Sequence, residues 1–196
     1  MVRPLIALTC AIALAATGCG ALKTKSKTIE AVMAPTAGSN VAGTLVFTTV
    51  PGGVHFSGRL TGLAPGSTHG FHIHEHGDCS APDASSAGGH FNPTSTAHGD
   101  PMGMIHHGGD IVNQVADAQG AIDVDVTVRG VTLGTGVSDD VLGRSVIVHR
   151  NPDDYTTQPS GNSGPRVACG VILKPLEDER SKYREVDAPG PGKGTQ

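Results

Sequence analysis

The sequence has no tryptophan, and aromatic residues make up only 3% of its 196 residues. A hydrophobic core therefore has to be built from small aliphatic side chains such as Val, Ile, Leu and Ala. The net charge is −4 at pH 7 and no basic stripe interleaved with aromatic residues is present, so we expect no nucleic-acid partner. Glycine and proline are frequent instead, with 28 and 13 residues, and they favour a fold with many turns.

Short segments in which apolar and polar residues alternate recur along the chain, and this period of two predicts β-strands. The segments cover residues 28–34, 41–50, 54–63, 68–75, 110–115, 121–128, 145–149 and 167–173. Two polar stretches without such alternation, 76–105 and 151–165, lie between them. Loops of this length are uncommon unless they serve a function. The pattern predicts an all-β fold with two long functional loops.

The N-terminal residues 1–18 have the pattern of a signal peptide. Arg3 precedes an apolar run at 5–16 that is too short to span a bilayer as a helix. Small residues then precede Cys19, and this segment resembles a bacterial lipobox. In a lipobox the chain is cleaved before the cysteine, which is then lipidated. The alternative is an ordinary secretory signal in which Cys19 is incidental. Both versions predict export. The lipobox version further predicts a cell-envelope lipoprotein, anchored by a lipid on Cys19 in the periplasm or at an extracytoplasmic membrane face.

The rest of the chain divides into three parts. Residues 19–27 are a short polar linker, and residues 28–176 form the folded domain. Residues 177–196 are charged and then rich in proline and glycine, so we predict a disordered tail.

Two cysteines, Cys79 and Cys169, lie in the predicted domain. An exported domain with two cysteines most simply forms one disulfide. The alternative is that one thiol binds a metal, although the histidines are numerous enough without it.

Histidine gives the main functional signal. His72 and His74 are two residues apart in a predicted strand, so their imidazoles project from the same face. The strand at 145–149 ends at His149 and could lie against the first one. Imidazole suits copper and zinc better than hard cations. The pattern indicates a metal site, although two surface histidines on an exposed sheet would have the same spacing.

A second group of potential ligands follows in the first long loop and at its end: His90, His98, His107 and Asp110. The spacing of His107 and Asp110 puts a carboxylate beside an imidazole, a combination that suits Zn²⁺. Together, the two groups supply enough ligands for two metal ions.

Four segments resemble the signature motifs of copper/zinc superoxide dismutases and occur in the same order. They are Gly70–Glu75, Gly89–Pro93, His107–Asp110 and Gly161–Gly170. The resemblance covers residues 28–173 and implies an antiparallel Greek-key β-barrel or sandwich of about eight strands. It also implies dismutation of superoxide to dioxygen and hydrogen peroxide, as an antioxidant defence outside the cytoplasm.

The resemblance further implies which residues bind the metals. Copper would be held by His72, His74, His90 and His149, and zinc by His90, His98, His107 and Asp110. His90 would then bridge both ions as an imidazolate, and it would act catalytically by taking up a proton when copper is reduced. Zinc has no redox chemistry, so copper would carry the electron transfer and zinc would be structural.

Three other roles are implied by the same resemblance. Arg166 would attract and hydrogen-bond the superoxide anion beside copper. Cys79 and Cys169 would form the family's intrasubunit disulfide. Asp153 would link a copper ligand to a zinc ligand, with Asp154 as the alternative. Four histidines receive no metal role: His55, His69, His76 and His106. Of these, His69 is expected to form a hydrogen bond to the backbone.

Two other functions stay open on the sequence: a non-catalytic domain that sequesters or delivers copper or zinc, and a zinc-only structural domain. The complete ligand set and Arg166 favour the enzyme over both. The expected partners are the superoxide anion and a membrane through the lipid on Cys19. A homodimer is a further option, because bacterial relatives of this kind occur as monomers and as dimers.

Overall fold

The computed structural model describes residues 28–174, which form eight strands and one turn of 3₁₀ helix. The strands are β1 Ile29–Pro35, β2 Ala42–Val50, β3 Gly53–Thr61, β4 Thr68–His74, β5 Asp110–Val115, β6 Ile122–Arg129, β7 Ser145–His149 and β8 Arg166–Val171, and the helical turn is Ser85–Ala87. Each strand coincides with one of the eight segments predicted from alternation. The predicted signal peptide 1–18, Cys19, the linker 19–27 and the tail 177–196 lie outside the described residues.

The eight strands form one antiparallel sheet in the order β5-β4-β7-β8-β1-β2-β3-β6. The strands β1, β2 and β3 are consecutive neighbours and form an antiparallel meander. Strands β4 and β7, β8 and β1, and β3 and β6 are neighbours that are distant in sequence, so connections cross the ends of the sheet. The sheet curls into a nearly closed barrel with β5 and β6 at its two edges, which confirms the predicted all-β fold. Within the described residues, no helix is long and apolar enough to cross a membrane.

The barrel interior is filled by aliphatic side chains and a few phenylalanines. Leu45, Phe56, Leu60, Phe71 and Ile73 are all completely buried and belong to one continuous cluster. Full burial of a side chain of this size contributes about 1.5–3 kcal/mol. The core therefore needs no tryptophan, as the composition led us to expect.

Strand β4 separates core residues from metal-site residues. Phe71 and Ile73 join the core cluster, whereas the intervening His72 and the terminal His74 point to the other face of the sheet. Both imidazoles are nevertheless buried, with 0% and 1% of the residue exposed. The cover comes from the connections 75–109, between β4 and β5, and 150–165, between β7 and β8.

Main-chain hydrogen bonds fix the first connection against β4. The Phe91 N–H donates to the Ile73 carbonyl at 2.8 Å, and the Glu75 N–H donates to the Gly89 carbonyl at 2.9 Å. These bonds bracket His90 and hold it opposite His74, with which it forms an isolated antiparallel bridge. Main-chain hydrogen bonds thus fix the position of His90 even though it lies outside the strands.

Candidate metal centre

The structure brings all seven predicted ligands together in two buried groups. One group is His72, His74, His90 and His149, and the other is His90, His98, His107 and Asp110. Within each group, one ligand atom from every residue lies within 4.8 Å of the others. His90 belongs to both groups, and its imidazole offers a separate nitrogen to each.

Strand pairing explains how the first group assembles. Strand β7 lies against β4 with Val148 opposite Phe71, so that His149 emerges at the end of β7 beside His72. Nε2 of His149 is 3.3 Å from Nε2 of His74, and the ring centroids of His72 and His90 are 3.9 Å apart.

Hydrogen bonds at Nδ1 determine the tautomers of two of these histidines. His74 donates its Nδ1–H to the Gly88 carbonyl at 2.9 Å, and His149 donates its Nδ1–H to the Gly164 carbonyl at 3.1 Å. The two Nε2 atoms therefore carry lone pairs, and these face each other. A cation between them converts that repulsion into ligation, so this group fits a metal ion.

The second group is centred on Asp110. Its Oδ1 lies 2.8 Å from Nδ1 of His90, 3.0 Å from Nδ1 of His98 and 3.4 Å from Nδ1 of His107. Atoms bound tetrahedrally to Zn²⁺ at about 2.0–2.1 Å are separated by about 3.3 Å, so the spacing fits a four-coordinate ion. The other oxygen, Oδ2, accepts the His107 N–H at 2.8 Å and the Gly99 N–H at 3.2 Å. These bonds orient the carboxylate toward the imidazoles.

Four buried ring nitrogens in the described chain make no hydrogen bond: Nδ1 of His72, Nε2 of His90, Nδ1 of His98 and Nδ1 of His107. An unsatisfied buried polar atom costs about 1–3 kcal/mol. All four belong to residues of the two groups, and in His72, His90 and His98 the other ring nitrogen is hydrogen-bonded to an aspartate. Metal ligation accounts for them all at once, so the residues present fit two ions.

Asp153 connects the two groups. Its Oδ2 accepts the Nε2–H of His72 at 2.7 Å, and its Oδ1 accepts the Nε2–H of His98 at 3.0 Å. Its neighbour Asp154 is exposed instead and accepts hydrogen bonds from Thr157. Gly161 makes the arrangement possible: its φ is +67°, and a Cβ there would overlap the Asp153 carboxylate.

Burial favours the neutral imidazoles of His72, His74 and His149. It lowers the pKa of His72 and His74 well below the ordinary value, and the nearby His90 adds to the effect. Burial likewise lowers the pKa of His149 to about 4. Burial alone would raise the pKa of Asp110, but the hydrogen bonds from His90 and from the His107 amide outweigh it and hold this pKa below its usual range. Neutral imidazoles and an ionised carboxylate are the forms that bind metal ions.

Comparison with known proteins agrees with this geometry. Residues 41–172 match the family model of copper/zinc superoxide dismutase (SODC). The chain belongs to the copper/zinc superoxide dismutase family. As a member it is an oxidoreductase of the superoxide dismutase class, with copper and zinc as its cofactors.

Relatives of this dismutase come from distant organisms. It is 44% identical over 123 residues to the superoxide dismutase-like protein YojM of Bacillus subtilis, covering 61% of this chain and 62% of the relative. It is 39% identical over 178 residues to an extracellular Cu-Zn superoxide dismutase of Drosophila melanogaster, covering 84% and 96%. A crystal structure of a SOD-like protein from Bacillus subtilis superposes with a TM-score of 0.66 at 38% identity, covering 74% and 97%.

An open channel leads to the first group of potential ligands. The cavity, of about 390 Å³, is lined by His74, His90, His149 and Arg166. Arg166 begins β8 opposite His149 on β7. Its guanidinium donates to the carbonyls of Ala84 and Gly88, each at 2.5 Å. The positively charged guanidinium of Arg166 is thereby held at the wall of the channel.

The predicted disulfide is confirmed. Cys79 and Cys169 are bonded, with their Cα atoms 5.8 Å apart. Both pack against Ala84, Ala87 and Ile147 in a small apolar cluster outside the barrel core. The bridge ties the segment that holds Arg166 to β8, and neither cysteine contributes to a metal group.

Polar side chains that no sequence motif singled out hold the second long connection in place. Asn113 on β5 donates to the Asp153 carbonyl and accepts the Asp153 N–H, both at 2.8 Å. Tyr155 accepts the Asn113 N–H through its hydroxyl at 2.7 Å. Gln158 accepts the His98 N–H at 3.0 Å and donates to the His98 carbonyl at 2.9 Å. No spacing rule distinguishes such side chains from ordinary polar loop residues.

The remaining four histidines lie outside both metal groups. His69 bonds the His149 carbonyl through Nδ1 at 2.8 Å, a backbone role like the one expected for it. His55 lies near Asp125 on the barrel surface, and His76 lies 3.6 Å from Glu75. His106 donates its Nδ1–H to the His107 carbonyl at 2.6 Å.

Proposed function

We propose that this dismutase acts outside the cytoplasm, with copper held by His72, His74, His90 and His149 and zinc by His90, His98, His107 and Asp110. The observation that carries the proposal is the set of buried, unpartnered ring nitrogens within the two groups. Bound copper supplies one-electron chemistry that oxidises one superoxide anion to dioxygen and reduces a second, with two protons, to hydrogen peroxide.

His90 joins the two sites in this proposal. Its Nδ1 faces Asp110 and the zinc group, whereas its Nε2 has no hydrogen-bond partner. His90 also lines the channel. With both ions bound, His90 would be held between the two groups without its ring proton. On reduction, Nε2 would take up a proton and could donate it as hydrogen peroxide forms.

Arg166 binds the substrate in this proposal. Its charge lies at the channel wall beside His74 and His149, and a guanidinium donates hydrogen bonds to a small anion in a fixed geometry. The carbonyls of Ala84 and Gly88 keep the side chain from turning away. Superoxide is thus drawn to the open side of the copper group and oriented there.

Metal analysis and kinetics test the assignment. Protein purified from its own compartment should contain about one copper and one zinc per chain and should consume superoxide rapidly in stopped-flow measurements. His149→Ala should lose copper and activity but keep zinc, whereas His107→Ala should weaken zinc binding first. Zinc alone, with no activity after copper loading, would instead identify a metal-binding domain without catalysis.

We also propose that the protein is exported and anchored by a lipid on Cys19. The Cys79–Cys169 disulfide supports an oxidising compartment, and the small residues before Cys19 support lipoprotein processing. A mass spectrum of the mature N-terminus should show an acylated Cys19, and Cys19→Ser should release the protein from the membrane fraction. An unmodified mature N-terminus at another residue would contradict the anchor.

A homodimer is the last part of the proposal. Val32 on β1 is 71% exposed and Leu173 after β8 is 55% exposed, and both line one depression beside the disulfide. Two such apolar side chains on neighbouring strands would be covered by a second copy. Sedimentation of the wild type and of Val32→Asp should show a dimer and a monomer, respectively; two monomers would contradict it.

A further inference from the structure

The connection 75–109 carries two methionines in solvent, shortly before His107. Met102 is 81% exposed and Met104 is fully exposed. Methionine is ordinarily buried, and Met33, which lies in the barrel core, is 1% exposed. Packing within the described chain gives no reason for two thioethers at the surface.

A tight turn fixes the main chain that presents them. Asp100 accepts the Met102 N–H through its side chain at 2.9 Å, and its carbonyl accepts the Gly103 N–H at 2.8 Å. The main chain that carries the two methionines is therefore an ordered, hydrogen-bonded turn.

His106 supplies a third donor near them. Because its Nδ1–H donates to the His107 carbonyl at 2.6 Å, its Nε2 carries a lone pair that is free to bind a cation. His106 and Met102 line the same cavity, of about 480 Å³, between the loop and the facing edges of β5 and β6. An imidazole and a thioether thus share one concave surface, with the second thioether two residues from the first.

We propose that Met102, Met104 and His106 bind a Cu(I) ion on the surface of the protein, separate from the two buried metal groups. Thioether sulfur is a soft ligand that selects Cu(I), and imidazole also binds copper. Arg129 lines the same cavity, and its positive charge opposes a dication more strongly than a monocation. Asp110 lines it as well, but both of its oxygens are engaged within the zinc group.

An anaerobic titration tests the site on the fully loaded protein. Protein that already contains one copper and one zinc per chain is titrated with Cu(I) in competition with a chromophoric Cu(I) chelator. The wild type should take up one further equivalent. The double variant Met102→Leu/Met104→Leu, which keeps the apolar bulk but removes both sulfurs, should lose that equivalent while its bound copper, bound zinc and dismutase rate stay unchanged.

Ile105→Leu is the matched control, since Ile105 lies between Met104 and His106, is 65% exposed and has no sulfur. It should bind Cu(I) as the wild type does. X-ray absorption of the extra copper should show sulfur neighbours in the wild type. Absence of the extra equivalent, its persistence in the double variant, or a copper environment without sulfur would each overturn the proposal, and none of these depends on whether the buried centre is catalytic.

Discussion

The Asp153 carboxylate lies 2.7 Å from Nε2 of His72, and both side chains are completely buried. Its second oxygen accepts the Nε2–H of His98 at 3.0 Å. Since His72 belongs to one group of potential metal ligands and His98 to the other, a single carboxylate orients one member of each. Partners of this kind fix the ring tautomer and raise the basicity of the ligating nitrogen.

Replacement of Asp153 by Asn should weaken metal binding. An amide has one acceptor oxygen and presents an N–H₂ group to the other histidine, so one of the two hydrogen bonds becomes a clash of donors. We expect zinc affinity to fall by about 10–100-fold, as is typical when a ligand loses its orienting partner. Competition with a chromophoric zinc chelator measures the change.

Asp154→Asn provides the control for that experiment. The change removes the same charge from the adjacent residue, but Asp154 is exposed and bonds Thr156 and Thr157 instead of a histidine. Zinc affinity should stay at the wild-type level. A similar loss in both variants would mean that net charge, and not hydrogen bonding, controls the site.

Arg166→Ala should lower kcat/KM and flatten its dependence on salt. Superoxide dismutase is itself a standard example of electrostatic focusing, which raises association rates by about 10–10³-fold, and we expect the loss to fall in that range. Pulse radiolysis or stopped-flow kinetics over a salt series measures both quantities. An unchanged rate with an unchanged salt slope would remove Arg166 from the mechanism.

Arg166→Lys separates charge from geometry. Lysine keeps the positive charge but cannot donate to the Ala84 and Gly88 carbonyls in the same fixed fork. We expect it to retain the salt dependence and to recover part of the rate. If the Lys and Ala variants have the same kcat/KM and the same salt dependence, the fixed position of the guanidinium, and not its charge, controls the rate.

The strands could be predicted from the sequence for local physical reasons, whereas the division of the ligands into two groups came from the motif resemblance. Alternation places His72 and His74 on one face of β4 because a strand has a period of two. The motif resemblance then identified distant residues such as His149, which no local rule could bring to β4. The pairing of β7 with β4 supplies that contact.

The supports of the site were not predictable in the same way. Gln158 brackets the main chain of His98 across 60 positions in sequence, and Asn113 holds Asp153 across 40. Such bonds depend on how an irregular loop meets another loop or a strand, and neither periodicity nor composition encodes that. The exposure of Met102 and Met104 was also invisible, because methionine in a sequence is ordinarily taken as a core residue.

Removal of the disulfide should cost both stability and activity. Cys79 and Cys169 are 90 residues apart, and a bridge that closes so long a loop stabilises a domain by about 4 kcal/mol in the chain-entropy model. We expect Cys79→Ser/Cys169→Ser to lose about 2–5 kcal/mol of unfolding free energy in urea. Reductant should destabilise the wild type and leave the double variant unchanged.

The same double variant should have a lower kcat/KM even where it is fully folded. The bridge anchors the segment whose Ala84 and Gly88 carbonyls hold Arg166, so its loss lets the guanidinium move. Stopped-flow rates at temperatures far below the unfolding transition measure this effect. Full activity together with reduced stability would show that the bridge has no part in positioning Arg166.

Metal-free protein should become less stable as the pH falls from about 6.5 to about 4. Burial lowers the pKa of His149 to about 4, whereas an unfolded chain protonates a histidine at about 6.5. Between these values the unfolded state binds more protons, so the free energy of unfolding rises with pH. The lowered pKa values of His72 and His74 act in the same direction, at about 1.4 kcal/mol for each unit of difference.

Urea denaturation of the metal-free protein across this pH window measures the slope. His149→Asn should make it shallower, because one group that protonates only on unfolding has been removed. His76→Asn is the matched control, since the His76 side chain is 61% exposed and lies outside both metal groups. A slope that is the same in all three proteins would show that His149 is accessible to protons in the folded state, and that the copper group is more open than its burial indicates.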